Sequence, residues 1–110
     1  MVVVTGSFEN LELFNNFMKK CGDKLVVIDF TATWCGPCQK MKPLFKAMCE
    51  TYEPKGVVFV AIDVDENEEV CGTLGISAMP TFQFWKNGSK VQEFVGADAN
   101  RLEAMLKEQL

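Results

Sequence analysis

Residues 25–40 read "LVVIDFTATWCGPCQK", and the pattern changes rhythm inside that stretch. Residues 25–30 are an apolar run rich in branched side chains, as expected of a strand buried on both faces. From Cys35 to about Tyr52 the apolar residues recur at helical spacing, with Met41, Leu44, Phe45 and Met48 on one side. Pro43 falls inside that helix and predicts a bend. Strand therefore gives way to helix at a Cys-Gly-Pro-Cys turn. A second apolar run, "VVFVAID" at residues 57–63, follows the helix. Strand, helix, strand in that order predicts a right-handed parallel crossover.

The flanking segments complete an α/β pattern. "NLELFNNFMKKCG" at residues 10–22 places Leu11, Phe14, Phe17, Met18 and Cys21 at helical spacing and ends on Gly22. A short, weak helix is expected between Glu66 and Leu74, with Gly72 against it. "TFQFWK" at 81–86 and "VQEFV" at 91–95 read as strands, and Asn87-Gly88 between them is a strong antiparallel hairpin signal. "NRLEAMLKEQL" closes the chain as an amphipathic helix capped by Asp98 or Asn100. The expected result is one domain over residues 1–110, a mixed sheet with helices on both faces.

Composition narrows the function. The chain is 48% hydrophobic with a formal net charge of -4, acidic and basic residues being mixed throughout. That balance suits a soluble packed domain and offers no basic footprint for nucleic acid or an anionic membrane. No apolar stretch reaches membrane length, and "MVVVTGS" lacks the length and basic leader of a signal peptide, so a cytoplasmic protein is expected. Five cysteines, Cys21, Cys35, Cys38, Cys49 and Cys71, are an odd set without the spacing of a secreted disulfide framework. The absence of histidine argues against Ser-His or Cys-His hydrolysis.

The spacing of Cys35 and Cys38 carries the chemistry. Side chains three apart on a helix are neighbours about 5–6 Å apart at their roots, within reach of a disulfide. The pair can close and reopen with little backbone movement. Pro37 belongs in the first helical turn, where its missing N–H removes no helical bond. Cys35 then sits among unpaired N–H groups at the positive end of the helix dipole, a setting that favours the thiolate. Cys38 lies one turn deeper. Cys35 is therefore expected to attack a substrate disulfide, and Cys38 to resolve the mixed disulfide that forms. Half of a zinc site is the competing reading, with Cys21, Cys49 and Cys71 as the remaining soft ligands. Cys21 and Cys49 are expected as core or half-buried thiols. Cys71, in an acidic segment, is expected to be more exposed, with a dimer or glutathione adduct through it as the weaker alternative.

With "VVIDFTATWCGPCQKMKP", then "MPTFQFWKNG", then "FVGA" and the closing helix, the chain resembles the thioredoxin family, in its animal-type cytosolic form, over essentially all 110 residues. The resemblance implies a thioredoxin fold, a central mixed sheet of about five strands flanked by four helices on both faces. It implies a monomeric protein-disulfide reductase without a bound cofactor or metal. Thioredoxin reductase, drawing on NADPH, would recharge it, and substrates such as peroxiredoxins or ribonucleotide reductase would be its partners. An oxidant or isomerase is the alternative within the same chemistry, and a redox-gated binding module the alternative outside it. The resemblance assigns Gly36 and Pro37 to holding the pair at a reducing potential.

Further site residues follow from the same likeness. Asp29, inside a buried strand, matches the carboxyl that relays the proton of the resolving thiol; burial should raise its pKa toward the working range. Local hydrogen bonding at a strand end is the plainer alternative. Many bacterial relatives carry a lysine on the next strand where this chain has Ala61, so Asp29 is expected to lack that cation. Met79-Pro80 taken alone would be trans; the resemblance makes it cis, beside the redox pair, with the Met79 backbone free to pair with a substrate strand. Trp34, Met79, Gly96 and Ala97 should join Gly36 and Pro37 in a flat apolar docking patch. Core packing is the alternative for Trp34, and a simple turn glycine for Gly96. Ala78 stands where some animal relatives have a regulatory cysteine, so that role is not carried over.

Overall fold

A computed structural model describes residues 3–110 of the chain; Met1 and Val2, at the head of the segment read above for a leader, lie outside the described residues. The elements run β1 (Val4–Gly6), α1 (Leu11–Cys21), β2 (Leu25–Thr31), α2 (Gly36–Tyr52), β3 (Val57–Asp63), α3 (Glu68–Thr73), β4 (Thr81–Lys86), β5 (Ser89–Val95) and α4 (Ala99–Gln109). They build one mixed sheet in the order β1-β3-β2-β4-β5. β1 and β2 lie parallel to β3, while β4 runs antiparallel to both β2 and β5.

The central position of β2 follows from its composition. Six of its seven residues are buried, because its odd and even side chains both face packed helices. Leu25 and Val27 join Met41, Phe45, Met48, Phe59, Phe82, Phe84, Leu102 and Leu106 on the face covered by α2 and α4. Val26, Ile28 and Phe30 face the opposite layer, with Phe14 and Met18 of α1 and Val70 and Cys71 of α3. Asn87 and Gly88 both take positive φ, as a two-residue hairpin requires. Of the two candidate caps for α4, Asp98 serves, its Oδ1 accepting from the Arg101 N–H at 3.0 Å.

Two sequence expectations change. Leu44 is exposed, because the inward stripe of α2 runs through Cys38, Met41, Phe45, Met48, Cys49 and Tyr52, and Leu44 falls at its edge. Cys71 is buried at 4% exposure rather than exposed, since α3 turns Val70 and Cys71 inward; the weaker alternative of a dimer or glutathione adduct through it loses its basis. The residue pattern also failed to mark β1, whose three residues carry too little periodicity to stand out. Helix α2 continues through Pro43 from Gly36 to Tyr52.

β1 approaches β3 closely at Gly6. A Cβ there would lie 2.8 Å from the Phe8 ring and 2.9 Å from Ile62 Cγ1, and Phe8 is held against Phe14 and Phe17. Gly6→Ala should therefore lower stability by about 1–3 kcal/mol, read as a reduced urea midpoint with the denaturant slope unchanged.

Candidate active site

The redox site forms where β2 ends and α2 begins. The chain turns at Ala32, whose carbonyl accepts from the Cys35 N–H at 3.2 Å and from the Gln39 side-chain amide at 2.9 Å. Those two bonds fold residues 32–35 back onto the first turn of α2. Cys35 becomes the N-cap, with extended backbone, and Pro37 occupies the first turn, where it costs no helical bond. The Cys38 backbone N–H donates to the Cys35 sulfur at 3.3 Å. A sulfur thus stands where a Ser or Asp side chain would normally satisfy an orphan N–H.

Cys35 and Cys38 are joined as a disulfide with Cα atoms 5.2 Å apart. The two sulfurs are not equivalent. Cys35 retains 7% exposure and Cys38 none. With Ala32 they form a small apolar cluster against which Met79 and Val64 pack.

The other expected residues gather around this pair. Met79-Pro80 is cis, and the Met79 carbonyl oxygen lies 3.9 Å from the Cys35 sulfur. The Thr81 hydroxyl donates to the Ala78 carbonyl, and the Gly96 N–H donates to the Pro80 carbonyl at 3.0 Å. That last bond seats Gly96 and the exposed Ala97 beside the proline. Gly36 and Pro37 are exposed on the helix tip. Trp34 is 66% exposed, so it serves no core. Its indole N–H donates to Asp65 Oδ2 at 2.9 Å. Sequence reading passed over Asp65, Asp63 and Asn67, which share this loop; the acidic run "DVDENEE" looks like a solvated face.

Asp29 lies below the site, in a row across the sheet that runs Thr5, Ala61, Asp29, Phe82, Phe94. It is 2% exposed, and its Oδ1 has no hydrogen-bond partner. Together with Thr5, Ala61, Gln39, Lys42 and Pro43 it lines a cavity of about 490 Å³ between the sheet and α2. Burial pushes its carboxyl from 3.8 up to about 7, and the Lys42 ammonium draws it partly back. Ala61 does pair with Asp29 across the sheet, but α2 supplies a cation that β3 does not. Burial also raises the thiols outside the pair. Cys71 reaches about 11, with the Asp63 charge adding to burial, and Cys49 about 11, with the Glu53 carboxylate bonded to its sulfur. Half-buried Cys21 is raised as well.

Residues 5–108 match the Thioredoxin family model. The chain belongs to the thioredoxin family. Chicken thioredoxin is 50% identical over 92% of this chain and 94% of its own length. Reduced Schistosoma mansoni thioredoxin superposes with a TM-score of 0.88 at 41% identity, covering 99% of this chain and 100% of that one. A chain solved in work on the thiol resolving mechanism of yeast mitochondrial 1-Cys peroxiredoxin superposes with a TM-score of 0.84 at 35% identity, over 96% and 94% of the two chains. As a thioredoxin-family member the protein is a thiol-disulfide oxidoreductase, with Cys35 and Cys38 as its redox-active pair. Among the described residues, no helix is long and apolar enough to cross a membrane.

Asp29 also sets a pH dependence. The folded chain keeps this proton up to about pH 7, whereas the unfolded chain loses it near 3.8. The folded state holds more protons across that interval, so its stability falls as pH rises. Urea titrations should show the stability of Asp29→Asn gaining on the parent by roughly 2–3 kcal/mol between pH 5 and pH 8. A constant difference would place the Asp29 pKa in the ordinary carboxylate range.

Proposed function

We propose that the protein is a general protein-disulfide reductase in which Cys35 is the nucleophile and Cys38 the resolving thiol. The supporting observation is the Cys38 N–H directed at the Cys35 sulfur at the start of α2. In the reduced protein that bond and the helix dipole stabilise a thiolate at Cys35 and do nothing comparable for Cys38.

The electron accounting is simple. The Cys35 thiolate attacks one sulfur of a substrate disulfide; a Cys35–substrate bond forms, the substrate bond breaks, and the other substrate sulfur leaves as a thiolate that takes up a proton. Cys38 then loses its proton and attacks Cys35, releasing the second substrate thiolate. Two electrons pass to the substrate, and the protein is left with the Cys35–Cys38 bond. Asp29, whose carboxyl burial pushes up to about 7, is suited to accept the Cys38 proton, because it faces the helix that carries Cys38 and shares a cavity with Gln39 of the same turn.

Substrate docking falls to the surface around the sulfurs. Trp34, Met79, Pro80, Gly96 and Ala97 supply an apolar rim and main-chain groups for an extended segment, while Gly36 and Pro37 keep the helix tip low. An NADPH-dependent thioredoxin reductase recharges the pair, and peroxiredoxins or ribonucleotide reductase are substrates; the match to a chain from the peroxiredoxin work supports the first. The setting is a monomer in a reducing cytoplasm, in keeping with three free cysteines.

Limiting iodoacetamide at pH 7 should alkylate Cys35 of the reduced protein about tenfold or more faster than Cys38. Preferential labelling of Cys38 would reverse the assignment. In single turnover, Asp29→Asn should slow mixed-disulfide resolution about tenfold or more and flatten its pH profile near 7. Insulin reduction with NADPH and the reductase should vanish in Cys35→Ser; a parent protein without turnover would be a binding module instead.

A further inference from the structure

Asn67 is 1% exposed and stands at the N-cap of α3, yet makes no cap bond to its own helix. An asparagine at that position ordinarily accepts from an N–H two or three residues on. Here the side chain is committed elsewhere. Its Oδ1 accepts from the Phe8 N–H at 2.7 Å, and its Nδ2 donates to the carbonyls of Asp63 at 2.9 Å and Gly6 at 3.2 Å. One N–H and two carbonyls fix the amide orientation, since the flipped form would oppose donor to donor.

The clamp grips the loop after β3 at its start. From the same Asp63 the carboxylate Oδ1 accepts from the Asp65 N–H at 2.8 Å, and its carbonyl accepts from the Glu66 N–H at 3.2 Å. The Val64 N–H is tied to the Thr31 carbonyl at 2.9 Å. Asp65 in turn accepts the indole N–H of Trp34, the residue before the attacking sulfur. The indole itself has little packing to hold it, being mostly exposed. Its orientation therefore depends on where the loop puts the Asp65 carboxylate.

We infer that Asn67 is a positioning residue for Trp34: by clamping Asp63 to β1 it fixes the loop whose Asp65 carboxylate orients the indole beside Cys35. The consequence for turnover rests on the docking role proposed for Trp34; the consequence for the indole does not.

The test uses the full chain labelled with 5-fluorotryptophan, so that Trp34 and Trp85 report separately by fluorine NMR. Asn67→Ala and Asp63→Ala should each shift and broaden the Trp34 signal and leave that of Trp85 in place. Asp63→Asn, which keeps the acceptor oxygen, should restore it. Both alanine variants should raise KM for insulin about threefold or more, the order expected for one or two lost hydrogen bonds, with kcat held within about twofold. In an Asp65→Ala background, Asn67→Ala should add nothing to KM, because the path to the indole is already cut. An unmoved Trp34 signal in Asn67→Ala, or a full additional KM effect in the Asp65→Ala background, overturns the inference. Should Asn67→Ala fail to fold, Asn67→Ser takes its place under the same criteria. A shifted signal with unchanged KM upholds the positioning and instead refutes docking by Trp34.

Discussion

A single backbone N–H, that of Cys38, pointing at the sulfur of Cys35 ties the chemistry of this protein to its architecture. The contact exists only while α2 starts at Gly36, and α2 starts there because the Ala32 carbonyl gathers the Cys35 N–H and the Gln39 amide. Below that turn, Met41, Phe45, Met48 and Tyr52 anchor the helix in the core against Val27, Phe59 and Phe82. The two sulfurs are identical in covalent structure. Their difference comes from the geometry of one helical turn, which leaves one at the tip and draws the other into the protein.

The same core that fixes the helix makes Asp29 unusual. Gln83, equally buried, has its amide bonded to Glu93 and its carbonyl to the Trp85 indole; Asn67 is likewise satisfied. Asp29 Oδ1 is the exception among the described residues. Buried polar atoms without partners are rare and costly. Asp29 keeps a carboxyl on the central strand, beside a cavity and within the field of Lys42, where burial disfavours its charged form. The aromatic half of the same row, Phe82 and Phe94, shows what the position would hold if packing alone decided.

Much of this was legible in the residues, and what was not has physical reasons. β2, α2 and the β4–β5 hairpin announced themselves because their signals are local: a branched apolar run, helical spacing, and Asn-Gly at a tight turn. The cis bond at Pro80 came only from family likeness, since it is not a local preference; the residues alone marked Asp29 as an ionisable group inside a buried strand, and the likeness added the proton-relay reading. β1 escaped notice because three residues cannot show a period. Cys71 was misjudged from its acidic neighbours, whose charges face outward while the thiol faces in. Asp65 and Asn67 acquire meaning only from partners 31 and 59 residues away, and no composition rule reaches that far.

The muted thiols matter for durability. A molecule that trades disulfides repeatedly also risks trading them with itself, ending in scrambled isomers or covalent clumps. Here the spectator sulfurs stay protonated, Cys49 and Cys71 near 11 and Cys21 raised as well, and the first two are walled off by side chains. Disulfide exchange runs on thiolates, so burial and a raised pKa set Cys49 and Cys71 apart from the pair at Cys35 and Cys38.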